Sequence, residues 1–353
     1  MRVGFTYNVR RAASSPEDDD PHLYPQLASG VKGMDHFAEW DDEQTIADLI
    51  DTIGKRHEVI PIEANLAAYE KLRTARPDLV FNIAEGFHGV ARESLIPAML
   101  EMLAIPYTGS DPITLGICLD KSRAKEILAF RRVPTAKFAV LHSWPLNGQL
   151  RHFDYPMFVK PISEGSSKGI WNDALVHNHA EMKKTVEKIW RTYQQPALVE
   201  EYMPGREFTV AMLGNGANLR VLPIVEINFS VLPKGALPLY SWEPKWLWDD
   251  PENPLEIYQC PARLDHELQM KIETICKKAY NYLGCRDLCR IDVRLNAEGE
   301  PTILELNPLP GLIKDPKIHS CFPKAAYAAG MTFDEVILGV IDAACQRLGM
   351  KNE

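Results

Sequence analysis

CRIDVRLNAEGEPTILELNPLPG, residues 289–311, contains two short runs of alternating apolar and polar residues on either side of a turn that includes Gly299. Alternation with period two marks a half-buried strand, so residues 290–295 and 302–307 are expected to form an antiparallel hairpin. If Leu295 pairs with Thr302, Asp292 lies opposite Glu305 and Arg290 opposite Asn307. Arg290, Asp292, Glu305 and Asn307 then share one face, and Ile291, Val293, Leu304 and Leu306 pack on the other. A different turn would shift this register. Two like charges about 5 Å apart repel by roughly 3 kcal/mol at an effective dielectric near 20. Directly opposed carboxylates are therefore a poor structural choice unless a cation lies between them. Asp292, Glu305 and Asn307 offer only oxygens, which suits magnesium completed by phosphate oxygens. Alternatively, Arg290 simply neutralises a surface carboxylate pair.

A second stretch, FVKPISEGSSKGI at 158–170, sends an apolar strand into Lys160 and then into a Gly/Ser loop. A lysine with a buried stem needs an anionic partner to offset lost hydration. Gly165, Ser166, Ser167 and Gly169 leave room for backbone N–H groups to approach a ligand, and the hydroxyls add donors, which would suit a phosphate. An ordinary surface turn accounts for such a loop as well, and neither G-x-x-x-x-G-K-[ST] nor a strand-linked G-x-G-x-x-G is present.

Around these stretches the chain is ordinary for a folded protein. It has 353 residues, 46% hydrophobic and 25% charged, which suggests two or three domains sharing a cleft. A net charge of −9 and a pI near 5.6 argue against nucleic acid or an anionic membrane as the main partner. The first residues turn polar too soon for a signal peptide and no run reaches transmembrane length, so a cytoplasmic protein is expected. Seven scattered cysteines fit reduced thiols, and Cys285 and Cys289 lack the companions of a zinc site and read as packing residues. Residues 2–6, 58–62 and 79–83 read as strands, with helices at 45–55 and through Leu95, Met99 and Leu103. This alternation predicts a parallel sheet. The polar segment 10–42 is too long for a routine connection. Further on, a helix from about Asp120, strands at 137–141 and 198–202 and a helix at 181–193 make a small α+β unit. Strands 207–213 and 219–227 flank the hairpin signal Gly214-Asn215-Gly216. A helix at 265–283 stops at Gly284, and Thr332 with Glu335 caps the last helix.

In order along the chain, IPYTGSDPITLGICLDKSRAK, FVKPISEGSSKG, ALVEEYMPGREFTV, QCPA, GCRDLCRIDV and LELNPLPG resemble the D-alanine:D-alanine ligase branch of the ATP-grasp superfamily. The resemblance runs from about Asp78 to the C-terminus. It implies an α/β fold, α+β in the ATP-binding half, with three domains: an N-terminal substrate domain at 1–112, a central ATP-grasp subdomain at 113–200 and a C-terminal ATP-grasp domain at 201–353. ATP would lie between the last two. By motif, Lys121 and Lys160 would hold phosphates, with Gly165, Ser166 and Ser167 in the loop closing over them. Glu200 would accept from the adenine amino group, Glu201, Tyr202 and Met203 would form the hinge beside adenine, and Glu207 would bind ribose. Lys245 matches a loop lysine reaching the γ-phosphate, Ser166 a member of the catalytic set, and Arg290 and Gly311 the oxyanion stabilisers. Asp292, Glu305 and Asn307 fall on the ligands of magnesium, with manganese as an alternative.

The departures from the family pattern concern substrate. Asp41 stands nearest the glutamate that anchors the first amino acid. Glu85-Gly86, with His88 nearby, replaces His-Gly, and Trp246 replaces a tyrosine whose hydroxyl both donates and accepts. KDPK at 314–317 adds length before Ser320, near the second substrate's carboxylate. The resemblance thus implies an ATP-dependent ligase joining a small amino acid to an amine through an acyl phosphate, a divergent biosynthetic enzyme and commonly a homodimer. The alternatives are the housekeeping D-alanine:D-alanine ligase and a non-catalytic ATP-binding regulatory protein.

Overall fold

The computed structural model describes residues 1–10, 38–143, 148, 150–233, 237–238, 256–318 and 320–351. The first part runs β1 (Arg2–Tyr7), α1 (Glu43–Gly54), β2 (Glu58–Glu63), α2 (Ala68–Ala75), β3 (Leu79–Asn82) and α3 (Leu95–Met102). Its sheet is parallel, in the order β2-β1-β3. Asp42 starts α1 by accepting the Thr45 N–H at 2.7 Å. Ile46, Leu49 and Ile53 on that helix are buried, as their helical spacing requires.

The next elements are α4 (Pro112–Leu119), α5 (Lys121–Phe130), β4 (Phe138–Leu141), β5 (Met157–Pro161), β6 (Leu175–Val176), α6 (His179–Tyr193) and β7 (Ala197–Glu201). The sequence suggested one helix from about Asp120, but two meet there. Asp120 ends α4 and caps α5, accepting the Ser122 N–H at 3.0 Å and the Arg123 N–H at 3.3 Å. The strands form an antiparallel sheet, β4-β7-β5-β6. Met182, Val186 and Ile189 of α6 pack on its apolar face.

The remainder comprises β8 (Glu207–Leu213), β9 (Arg220–Val221), β10 (Val225–Ile227), β11 (Tyr258–Gln259), α7 (His266–Leu283), β12 (Leu288–Leu295), β13 (Pro301–Asn307), α8 (Cys321–Ala328) and α9 (Phe333–Leu348). Its sheet runs β11-β10-β8-β12-β13, with β9 also on β8. The second arm of the expected 207–227 hairpin is therefore split in two. Gly284 caps α7 in the left-handed conformation and Thr332 with Glu335 forms the capping box of α9.

Arg290 pairs with Asn307 and Asp292 with Glu305, as expected. Beyond Asp292 the register slips, so that Leu295 meets Pro301 instead of Thr302. The slip is a bulge in β13, where two residues oppose one and the usual alternation of faces fails. Ile303 is consequently fully buried in the core while Leu304 lines the cleft, which corrects the expectation that Leu304 packs inward. Phe208, Val210, Ile291 and Val293 of this sheet share a core with α7 and with Cys118, Ala124 and Leu128 of α4 and α5. A second core joins Val3, Phe5 and Leu49 to Val336, Val340 and Ile341 of α9. All seven cysteines are free, with Cys285 and Cys289 buried. No helix among the described residues is long and apolar enough to cross a membrane.

Candidate active site

The four- and six-stranded sheets present their polar faces to one cleft. From β5 and β7 come Lys160 and Glu200, and Glu201, Tyr202 and Met203 continue the wall. The lysine read from the sequence as needing an anion has one: its Nζ lies 2.7 Å from Glu200 Oε2. Glu200 Oε1 lies 2.6 Å from Lys125 Nζ, an ion contact without hydrogen-bond geometry. Burial works against the charge on both lysines. In Lys125 burial wins and holds its proton affinity below the usual lysine range; in Lys160 the attraction of Glu200 and Glu305 outweighs it. Burial also opposes the charge of Glu200, but the two lysines keep its carboxyl below the usual range. Lys125 was missed from the sequence, although it stands four residues after Lys121 and hence on the same helical face.

Across the cleft, alternation along β12 brings Arg290, Asp292 and Arg294 to one face. Arg290 grips Asp292 through Nε at 3.2 Å and Nη2 at 3.0 Å. Glu305 lies 3.4 Å from Lys121 Nζ. Burial would raise the Glu305 carboxyl, but Lys121, Lys160 and Arg290 pull it down to about 2. The repulsion expected between Asp292 and Glu305 is thus already offset by cations. Arg294, also missed, holds Glu207 at 2.9 Å. Burial, with Asp292 and Glu305 nearby, still raises the Glu207 carboxyl. Asn307 accepts the Leu309 N–H at 3.0 Å. The donors of Asp292, Glu305 and Asn307 are all hard oxygens, two of them carboxylates, and fit a magnesium ion.

The Gly/Ser loop bends through left-handed Ser166 and Ser167, at φ of 50° and 61°. Such residues persist only where surroundings hold them. Here the hold comes from Glu39, at the end of the long polar segment. Its carboxylate accepts the Gly165 N–H at 2.8 Å, Arg92 Nη2 at 2.8 and 3.0 Å, and Lys168 Nζ at 3.1 Å. A Cβ on Gly165 would stand 2.5 Å from Glu39 Oε1. Gly165 was expected to offer its N–H to phosphate; in this structure that donor serves Glu39. Nothing periodic in the polar segment signalled Glu39. Lys121 Nζ reaches the Glu164 carbonyl at 2.5 Å, joining helix α5 to the same loop.

Beside the cleft lies a second cavity of about 460 Å³, lined by Asp41, Glu85, Asn307, Gly311 and Ser320 among others. Asp41 and Glu85 sit beyond the C-terminal ends of β1 and β3, where open parallel sheets place their sites. Backbone bonds between Asp41 and Asn8, and from Gly86 N–H to Asn8 Oδ1, fix both loops. Ser320 Oγ donates to the Gly311 carbonyl at 2.7 Å. Ser166 and Arg290 line both the cleft and this cavity. His88 is exposed and faces a separate cavity. Of the two added lysines, Lys317 lines the reaction-side cavity, whereas Lys314 turns to Asp48 at 3.4 Å. Lys245 and Trp246 lie outside the described residues.

A family model, the D-ala D-ala ligase C-terminus, matches residues 130–342. The chain belongs to the D-Ala-D-Ala ligase family. Within that family it is 34% identical over 277 residues to the D-alanine–D-alanine ligase of Bordetella pertussis, covering 78% of this chain and 81% of the relative. It is 31% identical to that of Cupriavidus pinatubonensis, with 78% of each covered. An uncharacterized protein of Sinorhizobium fredii shares 38% over 272 residues, 76% of this chain and 75% of that one. Among solved structures, the D-alanine–D-alanine ligase of Bacillus anthracis complexed with ATP superimposes with a TM-score of 0.68 at 22% identity, over 98% of both chains. The VanG D-Ala:D-Ser ligase of Enterococcus faecalis does so at 0.70 and 19% identity, over 97% of this chain and 99% of that one. This family member accordingly has the α/β ATP-grasp fold.

Proposed function

We propose that the chain is an ATP-dependent carboxylate–amine ligase, working through an acyl phosphate, with a substrate other than alanine. The observation that carries this reading is the wall shared by the two cavities: Ser166 and Arg290 face both the lysine-lined cleft and the cavity of about 460 Å³. A nucleotide in the first and an amino acid in the second would meet there, and positioning of this kind supplies much of the catalysis in phosphoryl transfer. In this reading Lys121 and Lys160 hold phosphate oxygens, Glu200 with residues 201–203 receives adenine, and Glu207 receives ribose. Asp292, Glu305 and Asn307 would hold magnesium, or manganese in its place, which neutralises charge during transfer. The substrate carboxylate attacks the γ-phosphorus and ADP leaves; the amine then displaces phosphate from the acyl carbon. Arg290 and the Gly311 N–H face the tetrahedral oxyanion. Lys245 is assigned to the γ-phosphate on its motif alone.

Residues 1–112 would form the substrate domain, 113–200 the central subdomain and 201–353 the domain with metal and oxyanion groups. The reading extends to a cytoplasmic homodimer acting on small molecules. The net charge of −9 supports the exclusion of nucleic acid. A cavity of about 460 Å³ falls within the roughly 300–1,000 Å³ of small-molecule pockets and has room for both amino substrates; the departures from the family pattern at Glu85 and at 314–317 are what favour a substrate other than alanine. Identities of 31% and 34% to D-alanine–D-alanine ligases favour the housekeeping reaction as the second reading. The test is ADP release with ATP, magnesium and pairs of amino acids of both hands, followed by product mass, with hydroxylamine as a trap in the absence of amine. A ligase yields ADP, an amide and a hydroxamate. Rapid dipeptide formation from D-alanine alone establishes the housekeeping reaction, and no turnover with any pair refutes ligation.

A further inference from the structure

The bulge in β13 is what aims Glu305. Val293 pairs with Ile303 and Asp292 with Glu305, so Leu304 is the extra residue. Residues paired across antiparallel strands share a face of the sheet. Without the extra residue Asp292 would meet Leu304, and Glu305 would meet Ile291, whose side chain is fully buried in the core. A carboxylate there would lose its hydration with no partner to replace it. The inserted residue thus carries Glu305 from the core face to the face that bears Asp292, a re-aiming that bulges beside active sites perform.

A bulge gives up regular pairing, and this one is held from outside its own sheet, by the segment between α5 and β4. Ile303, the last residue before the bulge, donates its N–H to the Pro134 carbonyl at 2.9 Å, and its carbonyl accepts the Thr135 hydroxyl at 3.1 Å. Thr135 and Ile303 form an isolated parallel bridge. The same hydroxyl accepts Lys125 Nζ at 3.0 Å. An ammonium can only donate, so the hydroxyl proton is committed to Ile303. Lys125 is fixed in turn, with its side chain 1% exposed and its Nζ 2.6 Å from Glu200 Oε1. A polar chain therefore runs from Glu200, which receives adenine in the ligase reading, through Lys125 and Thr135 to the root of the bulge. Lys121 also meets Glu305, at 3.4 Å, but in the ligase reading phosphate claims that lysine. The Thr135 link acts on backbone, and Ala136 beside it, not Thr135, lines the cleft. It stays in place when nucleotide arrives.

We infer that Thr135 is a positioning residue for the metal site: with Lys125 behind it, its hydroxyl holds the bulge that sets Glu305 opposite Asp292. This rests on the assignment of magnesium to Glu305 in the ligase reading, and adds to it a side chain that touches neither metal nor substrate. Groups that hold a metal ligand from behind typically account for about 10–100-fold in metal affinity.

The experiment uses the full chain and its Thr135→Val and Thr135→Ser variants, saturated with a non-hydrolysable ATP analogue. Manganese is titrated in as the paramagnetic probe, and free ion is read by electron paramagnetic resonance; the affinity for the analogue itself is measured separately in EDTA. Thr135→Val should raise the manganese Kd at least about tenfold while the analogue's Kd in EDTA moves by less than about twofold. Thr135→Ser, which keeps the hydroxyl, should leave both unchanged. Lys125→Met removes the donor that commits the hydroxyl and should shift the manganese Kd in the same direction, which keeps the test open if Thr135→Val does not fold. Equal manganese affinity in the parent and Thr135→Val overturns the inference and leaves the ligase reading standing. So does a serine variant that behaves like valine, or a loss of analogue affinity in EDTA as large as the loss for manganese, since either makes Thr135 a packing residue. If the parent chain with analogue binds no manganese, the metal assignment fails and takes the inference with it.

Discussion

Replacing Glu200 by glutamine should destabilise the protein far more than replacing Lys125 by methionine, and the two changes should not add. The carboxylate stands between two buried lysines, with Nζ–O separations of 2.6 and 2.7 Å. The lysine side chains are 1% and 5% exposed, so neither can turn to water. Glu200→Gln removes the one anion between them, and breaking a buried ion pair from one side costs about 3–5 kcal/mol. Lys125→Met fills the stem's volume and leaves Glu200 paired one to one with Lys160. Burial already disfavours the Lys125 charge, so its loss should cost less than about 1.5 kcal/mol, as for a volume-conserving swap. In the double variant only Lys160 remains unpaired, and the two costs should fall short of additivity by about 2 kcal/mol. Chemical denaturation of the four proteins without nucleotide completes the cycle. The Glu200 carboxyl is held below 4.5, so its contribution is complete above that pH and is lost as pH falls through the lower folded value. The measurements therefore belong near pH 7. Additivity within about 0.5 kcal/mol, or a larger loss from Lys125→Met than from Glu200→Gln, would refute the charge-sharing argument.

Glu305→Ala should abolish magnesium-dependent ATP turnover and also lower the thermal midpoint, because it strips Lys121 of the carboxylate at 3.4 Å; normal turnover would remove Glu305 from the metal site. Asp287, fully buried, accepts Gly109 N–H at 2.8 Å, Asn215 Nδ2 at 2.7 Å and Arg347 Nη2 at 2.7 Å. Asp287→Asn turns one of its two accepting oxygens into an NH2 donor facing donors and loses the charge opposite Arg347, at a cost of about 3 kcal/mol or more, and an unchanged denaturation midpoint would contradict that. Both ring nitrogens of His57 are buried without a hydrogen-bond partner among the described residues, and burial with the N-terminal ammonium and Arg56 lowers its pKa below 6.5. The unfolded chain then binds the extra proton first, so stability falls as pH drops below about 6.5. His57→Leu should flatten that slope, and equal slopes in the two proteins would exclude His57 as its source.

Residues whose role follows from local spacing were legible in the sequence. The opposition of Asp292 and Glu305 came from period-two alternation, and the structure keeps it even though the assumed pairing of Leu295 with Thr302 is wrong. The bulge absorbs the error: one extra residue in β13 shifts the register beyond Asp292 and turns Leu304 to the cleft. No sequence period encodes a bulge, because it is a property of the pair of strands. Arg294 was recoverable from the same alternation that found Asp292, and Lys125 from its helical spacing to Lys121, itself assigned by motif. Glu39 was not: its partners Arg92, Gly165 and Lys168 lie 53 to 129 residues away, and only the tertiary fold brings them together. Glu85 stands between these cases: it is a departure from the family pattern in the sequence, and only the fold brings it into one cavity wall with Asp41 and Arg10. The two added lysines divide in the same way: Lys314 is claimed by Asp48 and Lys317 reaches the cavity, a difference that their spacing in the sequence does not show.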